Sequence, residues 1–238
     1  MNRMYGVVPA AGKGTRLRPL TDNTPKGMVE IGDRPLMTHV FDRLISVGVD
    51  HLVVVVGYEL STITDYYGDH YCGTPITYVH QREQLGLGHA IAQCAPVVSG
   101  TVVVCNGDNV FGRPQQAAVD RARDDDVDAV VVTETVSGQQ ATKTGVVETD
   151  AEGRVQRVVE KPDEPPSQLS TTGWYVLPEE IFDALDLIRQ SDRGEYELAD
   201  GLSVLAAAGG RIDTVELDGE RVNVNTPSDI DRAEPLVD

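Results

Sequence analysis

The run Tyr5-Gly6-Val7-Val8-Pro9-Ala10-Ala11-Gly12-Lys13-Gly14-Thr15-Arg16-Leu17 sets an apolar, strand-length segment directly against a glycine-rich turn. In open α/β sheets, ligands bind beyond the carboxyl ends of the strands, so position alone makes this turn a candidate site. Small residues let backbone N–H groups approach an anion closely, and Lys13 and Arg16 add positive charge. Two familiar phosphate patterns do not fit. A dinucleotide-binding turn wants a third glycine where Leu17 stands, and a Walker turn wants Ser or Thr where Gly14 follows Lys13.

Downstream, strand-like and helix-like segments alternate. Leu36, Val40 and Leu44, with Met37, Phe41 and Ile45, form one apolar helix stripe that Gly48 ends. Leu52-Val53-Val54-Val55-Val56 is apolar throughout and β-branched after its leucine, the pattern of a central parallel strand buried on both faces. Ile76 to Val79, Val102 to Cys105 and Ala129 to Val132 add further strands, and a helix opens near Gly88-His89-Ala90. This alternation predicts an α/β fold, with right-handed crossovers and a sheet covered on both sides. From Lys143 the texture changes to short strands at Val146–Glu148, Val155–Val159 and Thr172–Leu177, split by turn-rich segments. They predict an antiparallel extension of the same domain, since no flexible linker intervenes. Helices near 178–189, 198–208 and 227–233 complete a single expected domain over 1–238, with no internal repeat.

Composition narrows the function. The chain has 238 residues, 40% hydrophobic and 24% charged, ordinary for a globular protein and incompatible with wholesale disorder. No apolar run approaches the roughly 20 residues of a membrane span, and the N-terminus lacks a signal-peptide layout. A soluble, cytoplasmic protein is expected. The formal net charge of −18 repels nucleic acid and anionic membranes, so neither is an expected partner. Such an acidic, lysine-poor composition resembles proteins of salt-loving organisms. The acidic run Asp124-Asp125-Asp126-Asp128 reads as a solvated face in preference to a metal site. Cys72, Cys94 and Cys105 form no C-x-x-C pair, the five histidines never fall at metal-ligand spacing, and no G-x-S-x-G elbow offers an acyl-transfer nucleophile.

Beyond the first turn the pattern continues as Gly12-x-Gly14-Thr15-Arg16-Leu17-x-Pro19-Leu20-Thr21 and then Thr24-Pro25-Lys26. This long signature resembles that of the sugar-1-phosphate nucleotidyltransferases, which include glucose-1-phosphate uridylyl- and thymidylyltransferases. Gln81 with Gly86-Leu87-Gly88-His89-Ala90 looks like the family's base-reading segment, and Gly107-Asp108-Asn109 like its metal motif. Gly145, Glu160-Lys161-Pro162, Thr172-Gly173 and Asn223-Val224-Asn225-Thr226-Pro227 follow in family order. Segments 80–84 and 193–197 resemble haloarchaeal uridylyltransferase-like members that activate glucose for protein glycosylation.

The resemblance implies a Rossmann-like, GT-A-like three-layer fold with a small antiparallel sugar-binding extension. The nucleotide-binding part would cover about 1–135 and the sugar-phosphate part about 136–238. It implies transfer of a nucleotidyl group from UTP or dTTP to a sugar 1-phosphate, with Mg²⁺ as cofactor and pyrophosphate released. Glucose 1-phosphate is the expected acceptor, with N-acetylglucosamine or another hexose as alternatives. Two polyanions must meet in such a reaction; unit charges about 4 Å apart repel by roughly 4 kcal/mol at an effective dielectric of 20. Neutralisation and in-line positioning are therefore the protein's main work. Three of the four lysines, Lys13, Lys26 and Lys161, lie inside the matched motifs.

By resemblance, Ala10, Ala11, Gly12, Lys13, Gly14 and Thr15 would hold the triphosphate, and Arg16 the departing pyrophosphate. Lys26 would bridge the α-phosphate and the attacking sugar phosphate. Lys161, with Arg193 beside it, would grip the sugar phosphate. Glu160 would accept from sugar hydroxyls, while Gly145 and Thr172 shape the pocket. Asp108 would ligate the metal, with Asn223 as second ligand and Asn225 the competing choice. Gln81, near Gly86, offers both a donor and an acceptor to the O4/N3–H edge of uracil or thymine. Trp174 and Tyr175 are expected in the core.

Two alternatives share the fold. A nucleotide-sugar-dependent glycosyltransferase commonly carries D-x-D, whereas Gly107-Asp108-Asn109 has one carboxylate. A non-catalytic nucleotide-sugar sensor has no need of the intact Arg16, Lys26 and Asp108 set. Bifunctional family members add an acyltransferase of hexapeptide repeats; no such ladder precedes Asp238, so that activity is not expected.

Overall fold

The computed structural model describes residues 3–12, 14–57 and 60–237. The first half contains strands β1 (Met4–Pro9), β2 (Glu30–Ile31), β3 (Arg34–Pro35), β4 (His51–Val56), β5 (His70–Tyr71), β6 (Thr74–His80), β7 (Thr101–Cys105) and β8 (Asn109–Phe111). Helices α1 (Leu36–Ser46), α2 (Leu60–Tyr67), α3 (Leu87–Ala92) and α4 (Gln116–Arg121) connect them. The second half adds β9 (Ala129–Thr135), α5 (Gly138–Ala141), β10 (Gly145–Thr149), β11 (Val155–Glu160) and β12 (Leu169–Leu177). It closes with α6 (Ile181–Leu187), α7 (Leu198–Ala207), β13 (Ile212–Glu216), β14 (Arg221–Asn223) and α8 (Pro227–Ala233).

The main sheet runs β11-β10-β12-β7-β1-β4-β6-β5, with β9 on β12 and β13 on β9. β1 pairs parallel with β4 and β7, and β4 with β6, as the apolar runs predicted. Leu52 to Val56 are completely buried because helices cover both faces. Alternate residues separate the core into two layers. Val8, Val54, Val103, Val130 and Trp174 pack with α1, α2, α4 and α8. Val7, Val55, Val104, Val131 and Tyr175 pack with α3, α6 and α7.

β12 determines where the site forms. Its C-terminal part runs antiparallel to β7, its Ser170 pairs with β10, and its other side pairs with β9. The register on β9 shifts between Thr171 and Tyr175, so Thr172 and Gly173 lie at a fork between the parallel and antiparallel halves. The expected extension is thus built into the centre of the sheet, with only the β10–β11 hairpin projecting as a margin.

Several elements have weak sequence signals. β13, reading Ile-Asp-Thr-Val-Glu, carries two acids yet pairs parallel with β9. Burial works against ionisation of Asp213, but Arg211 and Arg121 donate to its carboxylate and hold its pKa below the ordinary value. The β8–β14 ribbon sets Asn109 opposite Asn223, and α2 also lacked a distinctive pattern. Among the described residues, no helix is long and apolar enough to cross a membrane.

Trp174 is fully buried and meets Phe111 edge-on, with ring centroids 5.3 Å apart. Trp174→Ala is expected to lower stability by about 3–5 kcal/mol in urea unfolding, through lost contacts and a cavity beneath the fork. A loss under about 1 kcal/mol would show that this packing contributes little.

Candidate active site

Two cavities of about 330 Å³ each open at the carboxyl ends of β1 and β7. Arg16, Leu87, Asn106, Asp108 and Asn225 line both, so the cavities meet at a shared wall. The first is floored by the turn after β1. Ala10 N–H donates to the Val55 carbonyl at 2.8 Å, which carries the chain over the sheet's edge. Gly14 then takes a left-handed conformation, φ +59°, and a Cβ there would lie 2.9 Å from Lys26 Cβ. Glycine at this point therefore serves both the turn and the approach of Lys26.

Lys26 begins a short 3₁₀ turn after Pro25, and its side chain is only 13% exposed. Its Nζ donates to Asp108 Oδ2 at 2.9 Å and to Asn225 Oδ1 at 3.0 Å. Arg16 donates to the same Asn225 oxygen at 2.7 Å, and Asn225 Nδ2 donates to Asn223 Oδ1 at 2.6 Å. Asp108 follows β7, and its carbonyl accepts from Val224 N–H at 2.8 Å, which clasps the segment bearing both asparagines. Nearby, Asn106 Oδ1 is buried without a partner among the described residues.

The second cavity lies beside the fork. Glu160 ends β11, opposite Gly145 in β10. A Cβ on Gly145 would fall 2.8 Å from Thr171 Oγ1 and 2.9 Å from Glu160 Oε2, so glycine keeps this corner open. Lys161 sits 3.3 Å from Glu160 and has φ +47°, a left-handed backbone held by its N–H donating to the Thr144 carbonyl. Such a conformation costs a lysine about 1–2 kcal/mol, and strain of this kind collects at functional sites. Thr172 lines the cavity, but its hydroxyl donates to the Val132 carbonyl at 2.8 Å, consistent with a shaping role.

Most of the sequence-derived residues converge here. Ala10, Gly12, Gly14, Thr15, Arg16, Lys26 and Asp108 line the first cavity; Gly145, Glu160, Lys161, Thr172 and Asn223 line the second. Ala11 is buried, its carbonyl accepting from Gln84 Nε2. Lys13 lies outside the described residues. Arg193 departs from the expectation of a phosphate ligand: its guanidinium donates to Glu197 at 2.6 Å and does not line the cavity. Burial raises the Glu197 pKa, although Ser191 and Arg193 oppose the shift. Of the two asparagines, Asn225 reaches the Lys26–Asp108 junction directly, whereas Asn223 reaches it through Asn225.

Gln81 also differs from expectation. It is nearly buried, and its Nε2 lies 3.2 Å from the Gly86 carbonyl and 2.9 Å from His89 Nδ1. Its donor is engaged inside the protein and is not presented to a base. The sequence reading missed Lys143 and Arg221, which add cations to the second cavity. Lys143 was legible as the one of only four lysines outside the matched motifs, two residues before Gly145. Arg221 had no local signal; Glu134 and Asn109 hold it across the fork. Among the described residues, no group of three or more His, Cys, Asp or Glu side chains could hold a metal. The available hard oxygens are the Asp108 carboxylate and the Asn223 and Asn225 amides. That set suits Mg²⁺, which completes its shell with water and phosphate oxygens.

This constellation is that of an enzyme handling two phosphate-bearing substrates. Residues 5–221 match the nucleotidyl transferase family, and the chain belongs to it. It is 45% identical over 231 residues to UTP–glucose-1-phosphate uridylyltransferase AglF of Haloferax volcanii, covering 97% of this chain and 95% of that protein. The low-salt glycan biosynthesis nucleotidyltransferase Agl11 of the same organism is 33% identical, covering 98% of this chain and 66% of its own length. A solved UDP-glucose pyrophosphorylase complexed with UDP-glucose superposes with a TM-score of 0.87 at 26% identity, covering 100% of this chain and 98% of that one.

Lys161→Gly removes the left-handed strain. It is expected to raise unfolding free energy by about 0.5–1 kcal/mol, after the greater freedom of glycine in the unfolded chain is subtracted. A destabilisation of that size in chemical unfolding would show that the Lys161 side chain, not its backbone, governs local stability.

Proposed function

We propose that this chain transfers the uridylyl group of UTP to glucose 1-phosphate, giving UDP-glucose and pyrophosphate in the cytoplasm with Mg²⁺ as cofactor. The observation that carries this reading is the Lys26 ammonium, which lines the first cavity and is bonded to Asp108 and Asn225 in the wall common to both. A cation beside that wall would meet the α-phosphate in the first cavity and a sugar phosphate entering from the second, the placement a nucleotidyl transfer requires. The 45% identity to a protein named for that reaction supports the substrate pair.

The first cavity takes the triphosphate against the backbone of Ala10 to Thr15, with Lys13 in the same loop and Arg16 over the departing pyrophosphate. The second takes the sugar phosphate, with Lys161 on its phosphate and Glu160 accepting from hydroxyls. An oxygen of the sugar phosphate attacks the α-phosphorus; that P–O bond forms as the bond to the β-phosphate bridging oxygen breaks. The electron pair leaves with pyrophosphate, and no side chain forms a covalent intermediate. Lys26 follows charge from the attacking oxygen to the α-phosphoryl oxygens, a role suited to a compact ammonium with three donors. Mg²⁺, held by Asp108 with Asn225 and Asn223, would neutralise phosphate charge at the same wall. A single domain with nucleotide work in about 1–135 and sugar-phosphate work in about 136–238 is supported by the cavity linings, with Asn225 returning to the first cavity.

Pyrophosphate release should be fastest with UTP and glucose 1-phosphate in a matrix that includes dTTP, ATP and N-acetylglucosamine 1-phosphate. EDTA should abolish it and Mg²⁺ restore it. Lys26→Ala should lower turnover by about 100-fold or more while thermal unfolding stays cooperative. A variant with wild-type rates removes Lys26 from the chemistry, and no release from any pair overturns the reading.

A further inference from the structure

We infer that His89 fixes the rotamer of the Gln81 amide, and through it makes the site select a base bearing a ring N–H, uracil or thymine, over cytosine. The inference rests on the proposed pyrimidine nucleotide donor and concerns a residue that does not itself touch the base. Gln81 stands at the carboxyl end of β6, where its own N–H donates to the Val56 carbonyl at 2.8 Å. Gly86 and His89 flank its side chain, and Leu87, between them in the chain, lines both cavities.

The orientation of the amide follows from its neighbours. A peptide carbonyl only accepts, so the Gln81 atom 3.2 Å from the Gly86 oxygen is the amide nitrogen. The second hydrogen of that nitrogen faces His89 Nδ1 at 2.9 Å. Nδ1 therefore accepts, and the neutral ring carries its hydrogen on Nε2; Gln93, whose amide nitrogen lies 3.4 Å from that atom, accepts the hydrogen only with its amide turned over. Both hydrogens of the Gln81 amide are thereby engaged within the protein. Only its oxygen remains to meet a base.

Gln81 is 4% exposed and lines neither cavity, and its free oxygen would accept from the N3–H of a uracil or thymine that reaches it past Leu87. Cytosine presents a lone pair at N3, and two acceptors facing each other repel. An unrestrained glutamine could turn over and offer its NH₂ to cytosine; the contacts to Gly86 and His89 oppose that rotation. The helix that carries His89 is itself pinned. Gly88 N–H donates to the Tyr196 carbonyl at 2.8 Å, and Tyr196 N–H donates to the Leu85 carbonyl at 2.7 Å. The Tyr196 ring lies 6.2 Å from the imidazole, tilted by 30°.

Calorimetric binding of UTP and of CTP to the full chain in MgCl₂ tests the inference without requiring turnover. His89→Leu removes the acceptor at similar volume and should shrink the UTP-over-CTP affinity ratio at least about tenfold. His89→Asn, whose Oδ1 can stand in for Nδ1, should keep most of the ratio. A ratio unchanged in His89→Leu, or lost equally in both variants, overturns the positioning role. Nitrogen-15 NMR of the wild-type imidazole provides a readout independent of any variant: Nδ1 should be unprotonated and Nε2 protonated. A proton on Nδ1 overturns the inference. Wild-type protein that binds neither UTP nor dTTP would instead defeat the proposed function, a result separable from an altered ratio.

Discussion

The ammonium of Lys26, shared between Asp108 and Asn225, joins three remote pieces of chain at one point. The 3₁₀ turn after Pro25, the end of β7 and the segment after β14 have no local reason to meet. One partly buried cation satisfies oxygens from the latter two and carries the first to them. In a chain with net charge −18, this is also where local positive charge is most needed. A polyphosphate approaching the acidic surface is repelled until it reaches the wall where Arg16 and Lys26 converge, with Lys143 and Lys161 lining the adjoining cavity. The Lys26–Asp108 pair is partly buried, so salt screens it less than an exposed pair.

The fold makes that meeting possible through β12. A wholly parallel sheet would leave one crevice beyond its strand ends. Here an antiparallel strand enters beside β7, and its shifted register at Thr172 and Gly173 opens a second crevice against the first. Gly173 carbonyl accepts from Asn106 N–H at 2.9 Å, so the fork and the Asp108 turn are tied by the backbone itself. Two ligands can thus be held by two halves of one sheet, with their reactive ends at a common wall.

Much of this was legible in the residues. Buried β-branched runs marked β1, β4 and β7 because both of their faces are covered, and the fixed spacing from Gly12 to Lys26 marked the first cavity. The position of β12 was harder to read. Its apolar run at Trp174–Leu177 announces a strand, but not which neighbours it takes, since pairing is decided by contacts far apart in sequence. β13 was hidden by its acids, which are neutralised by Arg121 and Arg211 from elsewhere. The same limit explains the site's surprises. A glutamine motif does not disclose that its donor is bound by Gly86 and His89, nor does an arginine disclose that Glu197 holds it. That Asn225 and not Asn223 bonds directly to Lys26 is likewise a matter of where a loop returns, not of which residue it carries.

The central claim is that both phosphates meet at Lys26. A crystal structure with a non-hydrolysable α,β-imido analogue of UTP and glucose 1-phosphate tests it most directly. The account expects the α-phosphorus and the attacking phosphate oxygen about 3–3.5 Å apart, on either side of Lys26 Nζ. Either ligand bound in a cavity away from that wall, with Lys26 still closed on Asp108 and Asn225, would contradict it.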